Sequence, residues 1–88
     1  MIRKRVLVSG LVQGVFFRDT CRRLATGAGV TGWIRNLDDG RVEAVFEGPA
    51  ERVDELVAWT RYGPSDARVA GVEVLVEPSE GLSGFVVV

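Results

Sequence analysis

The hydrophobic period of this 88-residue chain changes repeatedly between two and 3.6, and the order of those changes restricts the fold more than any single residue does. After a basic start, Val6, Leu7 and Val8 form a short apolar run that predicts a strand over Arg3–Gly10. A glycine-bounded loop, Gly10 to Gly14, follows. Phe17, Cys21, Leu24, Ala25 and Ala28 then recur at helical spacing, which predicts a helix with those five on its buried face and Asp19, Arg22 and Arg23 off it. Gly27 and Gly29 are its stop signals. Val30–Leu37 and Arg41–Glu47 read as two strands joined by the turn Asp38-Asp39-Gly40. In the second of these, Val42, Ala44 and Phe46 alternate with Arg41, Glu43 and Glu47, so one face is expected to be buried and the other wet or only partly covered. Val53, Leu56, Val57 and Thr60 predict a second helix over Ala50–Tyr62, closed by Gly63-Pro64. Val69–Val76 reads as a fourth strand, with Val72, Val74 and Val76 on one face, and Phe85–Val88 as a last one.

The order β-α-β-β-α-β-β suits two helices packed on one face of a mostly antiparallel sheet. That is an α+β two-layer sandwich of ferredoxin-like topology, expected to occupy residues 1–88 as one domain. In this arrangement the third strand fills the gap between the first two, which therefore run in the same direction. Their carboxyl ends emerge on one sheet edge, two strand spacings or about 10 Å apart. Arg18 follows the first of those ends and Asn36 sits at the second.

Missing residue types narrow the chemistry. The chain has no histidine, which excludes Ser-His, Cys-His and His-metal sites. Its single cysteine, Cys21, forms neither an internal disulfide nor a thiolate zinc site. Catalysis must then come from arginine, asparagine, carboxylates, hydroxyls and backbone. A net charge of −1 argues against a dedicated nucleic-acid binder, but the charge is uneven. Residues 1–44 carry eight Lys/Arg against four Asp/Glu, and residues 45–88 carry three against eight. The excess is chance scatter of solvated charge or the mark of an anion site in the first half. The basic Met1–Arg5 is followed by too short an apolar run for a signal peptide, and nothing approaches a membrane span, so a cytoplasmic address is expected.

Two segments could carry chemistry. Gly10-Leu11-Val12-Gln13-Gly14-Val15-Phe16-Phe17-Arg18 enters a helix through glycines. Such an entry leaves backbone N–H groups without partners, and with the helix dipole they form a site for an anion. Arg18 adds a planar fork able to donate two parallel hydrogen bonds to one phosphate. A plain strand-to-helix turn with a surface arginine accounts for the same residues. Asn36, in Gly32-Trp33-Ile34-Arg35-Asn36-Leu37-Asp38-Asp39-Gly40, either serves the hairpin turn or orients a water, since a carboxamide donates and accepts at once. Cys21, Trp33 and Trp59 read as packing residues, Asp38 and Asp39 as solvated turn carboxylates, and Arg22 and Arg23 as exposed helix charges; Phe16 is left open as a substrate contact.

These segments also carry a family resemblance. GLVQGVFFR resembles the acylphosphatase signature G-x-V-Q-G-V-x-[FY]-R at every fixed position, Phe16 falling on its free one. GWIRNLDDGRVEAVFEG resembles the second signature, G-[FYW]-[AVC]-[KRQAM]-N-x3-G-x-V-x5-G, departing only at Ile34. Ser9 stands where the family commonly has a histidine that is not catalytic. The resemblance implies hydrolysis of the carboxyl–phosphate bond of an acyl phosphate to a carboxylate and inorganic phosphate. It implies that Arg18 and the backbone amides of Gln13, Gly14, Val15, Phe16 and Phe17 hold the phosphate, and that Asn36 positions the attacking water. It implies no metal or organic cofactor. The expected partner is a small-molecule acyl phosphate, with neither nucleic acid nor membrane, and the chain is expected to be a monomer. Two rivals are a phosphate-binding module without turnover, as in acylphosphatase-like domains of larger maturation proteins, and a ferredoxin-like RNA-binding domain. The second needs a basic surface and an aromatic-rich strand motif that this sequence lacks.

Overall fold

A computed structural model describes residues 1–88. The elements are β1 (Ile2–Leu11), α1 (Phe17–Gly27), β2 (Thr31–Asn36), β3 (Val42–Gly48), α2 (Ala50–Thr60), β4 (Arg68–Glu77) and β5 (Phe85–Val87), in the expected order. They build one five-stranded sheet, β4-β1-β3-β2-β5, with both helices on the same side. β3 is antiparallel to β1 and to β2, so those two strands share a direction. β5 joins β2 in parallel and makes the sheet mixed. The ferredoxin-like α+β arrangement read from the sequence is the observed fold.

Alternation assigns the faces. Val6 and Val8 of β1, Ile34 of β2 and Val42, Ala44 and Phe46 of β3 point toward the helices. They meet Phe17, Cys21 and Ala25 from α1 and Val53, Leu56 and Val57 from α2, with Phe85 closing one side. Burying each of the Val, Ile, Leu and Phe side chains among them is worth roughly 1.5–3 kcal/mol, which is what a chain this short needs. Trp59 packs against Phe17 with ring centroids 5.0 Å apart. Burial of Cys21 pushes its thiol up to about 12, so it serves as a small apolar filler.

Three details differ from the sequence expectation. Leu24 is exposed, because α1 turns it into a shallow groove beside Leu56 and Trp59 at the outer seam between the helices. Val76 is 78% exposed: it lies opposite Lys4 near the end of edge strand β4. The third difference is larger. Both faces of β3 are buried, with Glu43 only 7% and Glu47 only 3% exposed.

Ionic partners cover that second face. Glu43 accepts hydrogen bonds from Arg5 and Arg35, and Glu77 accepts from Arg3 and Arg5. The guanidinium groups of Arg5 and Arg35 lie 5.5 and 5.4 Å from the ring centre of Trp33, so one indole is within cation–π reach of both. The Glu47 carboxylate accepts the backbone amides of Glu80 and Leu82, which folds the segment after β4 over the sheet.

These contacts set an acid limit on stability. Burial works to raise Glu43, but hydrogen bonds from Arg35 and Arg5 outweigh it and hold its carboxyl below the ordinary value. Arg5 and Arg3 depress Glu77, and the Glu80 amide leads in depressing Glu47. Each carboxylate therefore contributes stability that is complete above its ordinary value of 4.5 and is lost as pH falls through the depressed folded value. Urea midpoints should hold near neutrality and decline below about pH 4.5, less steeply in Glu43→Gln than in wild type; a midpoint still flat at pH 3 would contradict this account.

Candidate active site

The carboxyl end of β1 runs directly into the loop of residues 12–16. Gly14 turns with φ 75°, and an added Cβ there would meet nothing within 4 Å. The glycine thus serves both a left-handed backbone and an open approach to it. Phe16 adopts φ 64°, a left-handed conformation that costs a non-glycine residue about 1–3 kcal/mol. That conformation brings the chain into α1 without a side-chain cap.

The amides at this helix entry have little to bond within the protein. Thr20 is the first to find a carbonyl, that of Phe16 at 3.1 Å, so the amides of Phe17, Arg18 and Asp19 have no partner inside the helix. No loop or turn hydrogen bond uses the amides of Gln13, Gly14, Val15 or Phe16 as donors. Arg18 is half-buried and makes no ion pair. Its neighbour Asp19 is engaged elsewhere, accepting Arg22 at 3.0 Å and pairing with Arg23 at 3.3 Å. Val12, Gly14, Phe16, Phe17, Arg18, Asp19 and Val87 line a hollow of about 400 Å³.

Asn36 is the last residue of β2, on the helix-facing side of the sheet with Ile34. Its Oδ1 is buried and accepts no hydrogen bond from the protein. It does not line the hollow; the link between the two segments is Gln13. The Gln13 carboxamide donates to the carbonyl of Leu37 at 2.8 Å and to that of Arg41 at 3.0 Å. Those two residues close the β2–β3 turn, where the Leu37 amide donates to the Arg41 carbonyl at 2.8 Å. The loop before Arg18 is therefore fastened to the hairpin that begins at Asn36.

Of the residues singled out from sequence, Gly14, Phe16, Phe17 and Arg18 come together around the hollow. Val15 turns inward to pack against the core, and Gln13 bridges through its side chain. Sequence reasoning missed Val12, Asp19 and Val87. Only the parallel pairing of Val87 with Ile34 brings the far end of the chain here. Asp38 and Asp39 stand outside the hollow, Asp39 being tied to Arg41 through its side chain and amide.

Topology and loop together define a ferredoxin-like α+β sandwich with a helix entry at one sheet edge whose amides lack internal acceptors. The acylphosphatase family model matches residues 4–87. The chain belongs to the acylphosphatase family and is a hydrolase of acyl phosphates. An acylphosphatase of Rubrobacter xylanophilus is 66% identical over 79 residues, which is 90% of this chain and 72% of that protein. The crystal structure of acylphosphatase from Bacillus subtilis has a TM-score of 0.95 at 36% identity, covering 100% of this chain and 99% of the other. An acylphosphatase structure from Coxiella burnetii gives 0.93 at 40% identity over 98% of this chain and 90% of its own.

Gln13→Leu removes two hydrogen bonds and leaves both carbonyls with their turn partners. The expected loss is about 1–2 kcal/mol, read as a Tm lowered by several degrees in a thermal melt. An unchanged Tm would show that the bridge contributes no stability.

Proposed function

We propose that Arg18 and the amides of the loop from Gln13 to Phe17 grip the phosphoryl group of the acyl phosphate, and that Asn36 aims the attacking water. One observation carries the reading. A half-buried arginine with no carboxylate partner stands at a helix entry whose amides have no internal acceptors. Cation, helix dipole and donors converge on one small volume, which is the arrangement a phosphate requires.

In the step this implies, a water oxygen bonds to phosphorus while the bond from phosphorus to the acyl oxygen breaks. The electron pair leaves with the carboxylate. Asn36 accepts a hydrogen bond from the water at Oδ1, the buried oxygen that no protein donor satisfies. Because a carboxylate is a good leaving group, no general acid is required. The water's proton passes to a phosphate oxygen of the substrate, so a chain without histidine completes the reaction. Rate enhancement then comes from positioning and from donors held in place as charge shifts onto the phosphoryl and leaving oxygens.

A small-molecule substrate, rather than a nucleic acid, is supported by the outer sheet face. Arg3, Arg5 and Arg35 there are already paired with Glu77, Glu80 and Glu43, which leaves no continuous basic surface for a phosphate backbone.

Two variants test the assignment in an acyl phosphate hydrolysis assay. Arg18→Lys keeps the charge and removes the fork, and should abolish nearly all turnover; near-normal turnover would defeat the reading. Asn36→Ala should lower kcat by roughly 100-fold or more while inorganic phosphate still inhibits with similar affinity. If phosphate affinity falls in parallel, Asn36 supports the loop and does not aim the water.

A further inference from the structure

We propose that Gln13 is a positioning residue for the hydrolysis: its carboxamide sets the separation between the phosphate loop and Asn36, so that the rate of the chemical step depends on it and phosphate binding does not. The inference rests on the reading of Arg18 as the phosphate grip and Asn36 as the residue that aims the water.

The backbone ladder stops short of the site. β1 pairs with β3 as far as Val8 and Val42, and β2 pairs with β3 as far as Asn36 and the same Val42. Beyond that point Ser9, Gly10 and Leu11 pair with β4 alone, on the side of β1 away from Asn36. Between residues 9–18 and residues 36–41 the only hydrogen bonds are the two that Gln13 donates, to the carbonyls of Leu37 and Arg41. One side chain spans the opening that the ladder leaves.

Each half has bracing of its own. In the hairpin the Leu37 amide donates to the Arg41 carbonyl and the Gly40 amide to the Leu37 carbonyl, while Asp39 accepts from the Arg41 amide and guanidinium. In the loop Val12 is buried in the core and Val15 packs against it. What the carboxamide fixes is therefore the placement of one half against the other. A phosphate held by Arg18 and the loop amides touches the loop half, whereas a water aimed by Asn36 belongs to the hairpin half. Loosening the bridge leaves the grip in place and spoils the distance and angle at which the water oxygen meets phosphorus. An error of about 1 Å there is enough to lower the rate. The requirement is chemical as well as steric. Both acceptors are carbonyls, so the position needs two N–H donors on one head group.

The test measures kcat for acetyl phosphate and inhibition by inorganic phosphate, at a temperature where circular dichroism shows every variant folded. Gln13→Leu should lower kcat by about 10- to 100-fold and leave phosphate inhibition unchanged. A normal kcat overturns the proposal, and so does a parallel loss of phosphate affinity, which makes Gln13 part of the grip. Combined with Asn36→Ala, Gln13→Leu should add little further loss because it acts through Asn36; losses that multiply in full overturn it. Gln13→Glu supplies a readout that general loosening does not move. Its ionised carboxylate only accepts and faces two carbonyls, while its protonated form donates to one of them. Its kcat relative to wild type should therefore climb as pH falls from 8 to 5, and a flat ratio overturns the proposal. Turnover that survives in Asn36→Ala removes the water-aiming reading and this inference with it. A kcat lost in Asn36→Ala and kept in Gln13→Leu removes the inference alone.

Discussion

β3 is the constraint on which the rest of the molecule depends. It is hydrogen-bonded to β1 on one side and β2 on the other, antiparallel to both, and every residue along it is buried. Because it lies between them, the two strands that deliver the loop and Asn36 must end on the same edge of the sheet. Its two faces are held by different physics. Val42, Ala44 and Phe46 face an apolar core, whereas Glu43 and Glu47 face cations and backbone amides. A carboxylate buried this way stabilises only while its partners remain, because removing one leaves an unpaired charge in a site poor in water.

Within that frame the candidate site is economical. A strand end, a five-residue loop and the first turn of a helix supply the donors, and one carboxamide fastens them to a neighbouring hairpin. Both Gln13 bonds end on backbone carbonyls. The distance from loop to hairpin is thus set by main chain on one side and a short side chain on the other, which suits a site whose catalysis is attributed to positioning.

The element order was legible in the sequence because apolar periodicity reports directly on which face of a strand or helix is covered. The two long signatures around Arg18 and Asn36 were legible because their spacing is local. What escaped notice depended on partners distant in the chain. Glu43 alternates with apolar neighbours and so reads as wet or only partly covered, whereas Arg5 and Arg35 converge on it from two other strands. Leu24 and Val76 keep the right period, but periodicity does not say whether a neighbour reaches far enough to cover them. Gln13 read as loop backbone because its acceptors, the carbonyls of Leu37 and Arg41, lie in a hairpin 24 and 28 residues away. Val87 entered only through a parallel pairing that no local pattern announces.

The ionic carpet on the outer sheet face has a thermal consequence. Hydration of charged groups becomes less favourable on heating, so the penalty for withdrawing Arg3, Arg5, Glu43 and Glu77 from water shrinks while the attraction among them persists. Apolar burial on the opposite face levels off over the same range. Warming therefore shifts the load across the sheet, from its oily side toward its charged one.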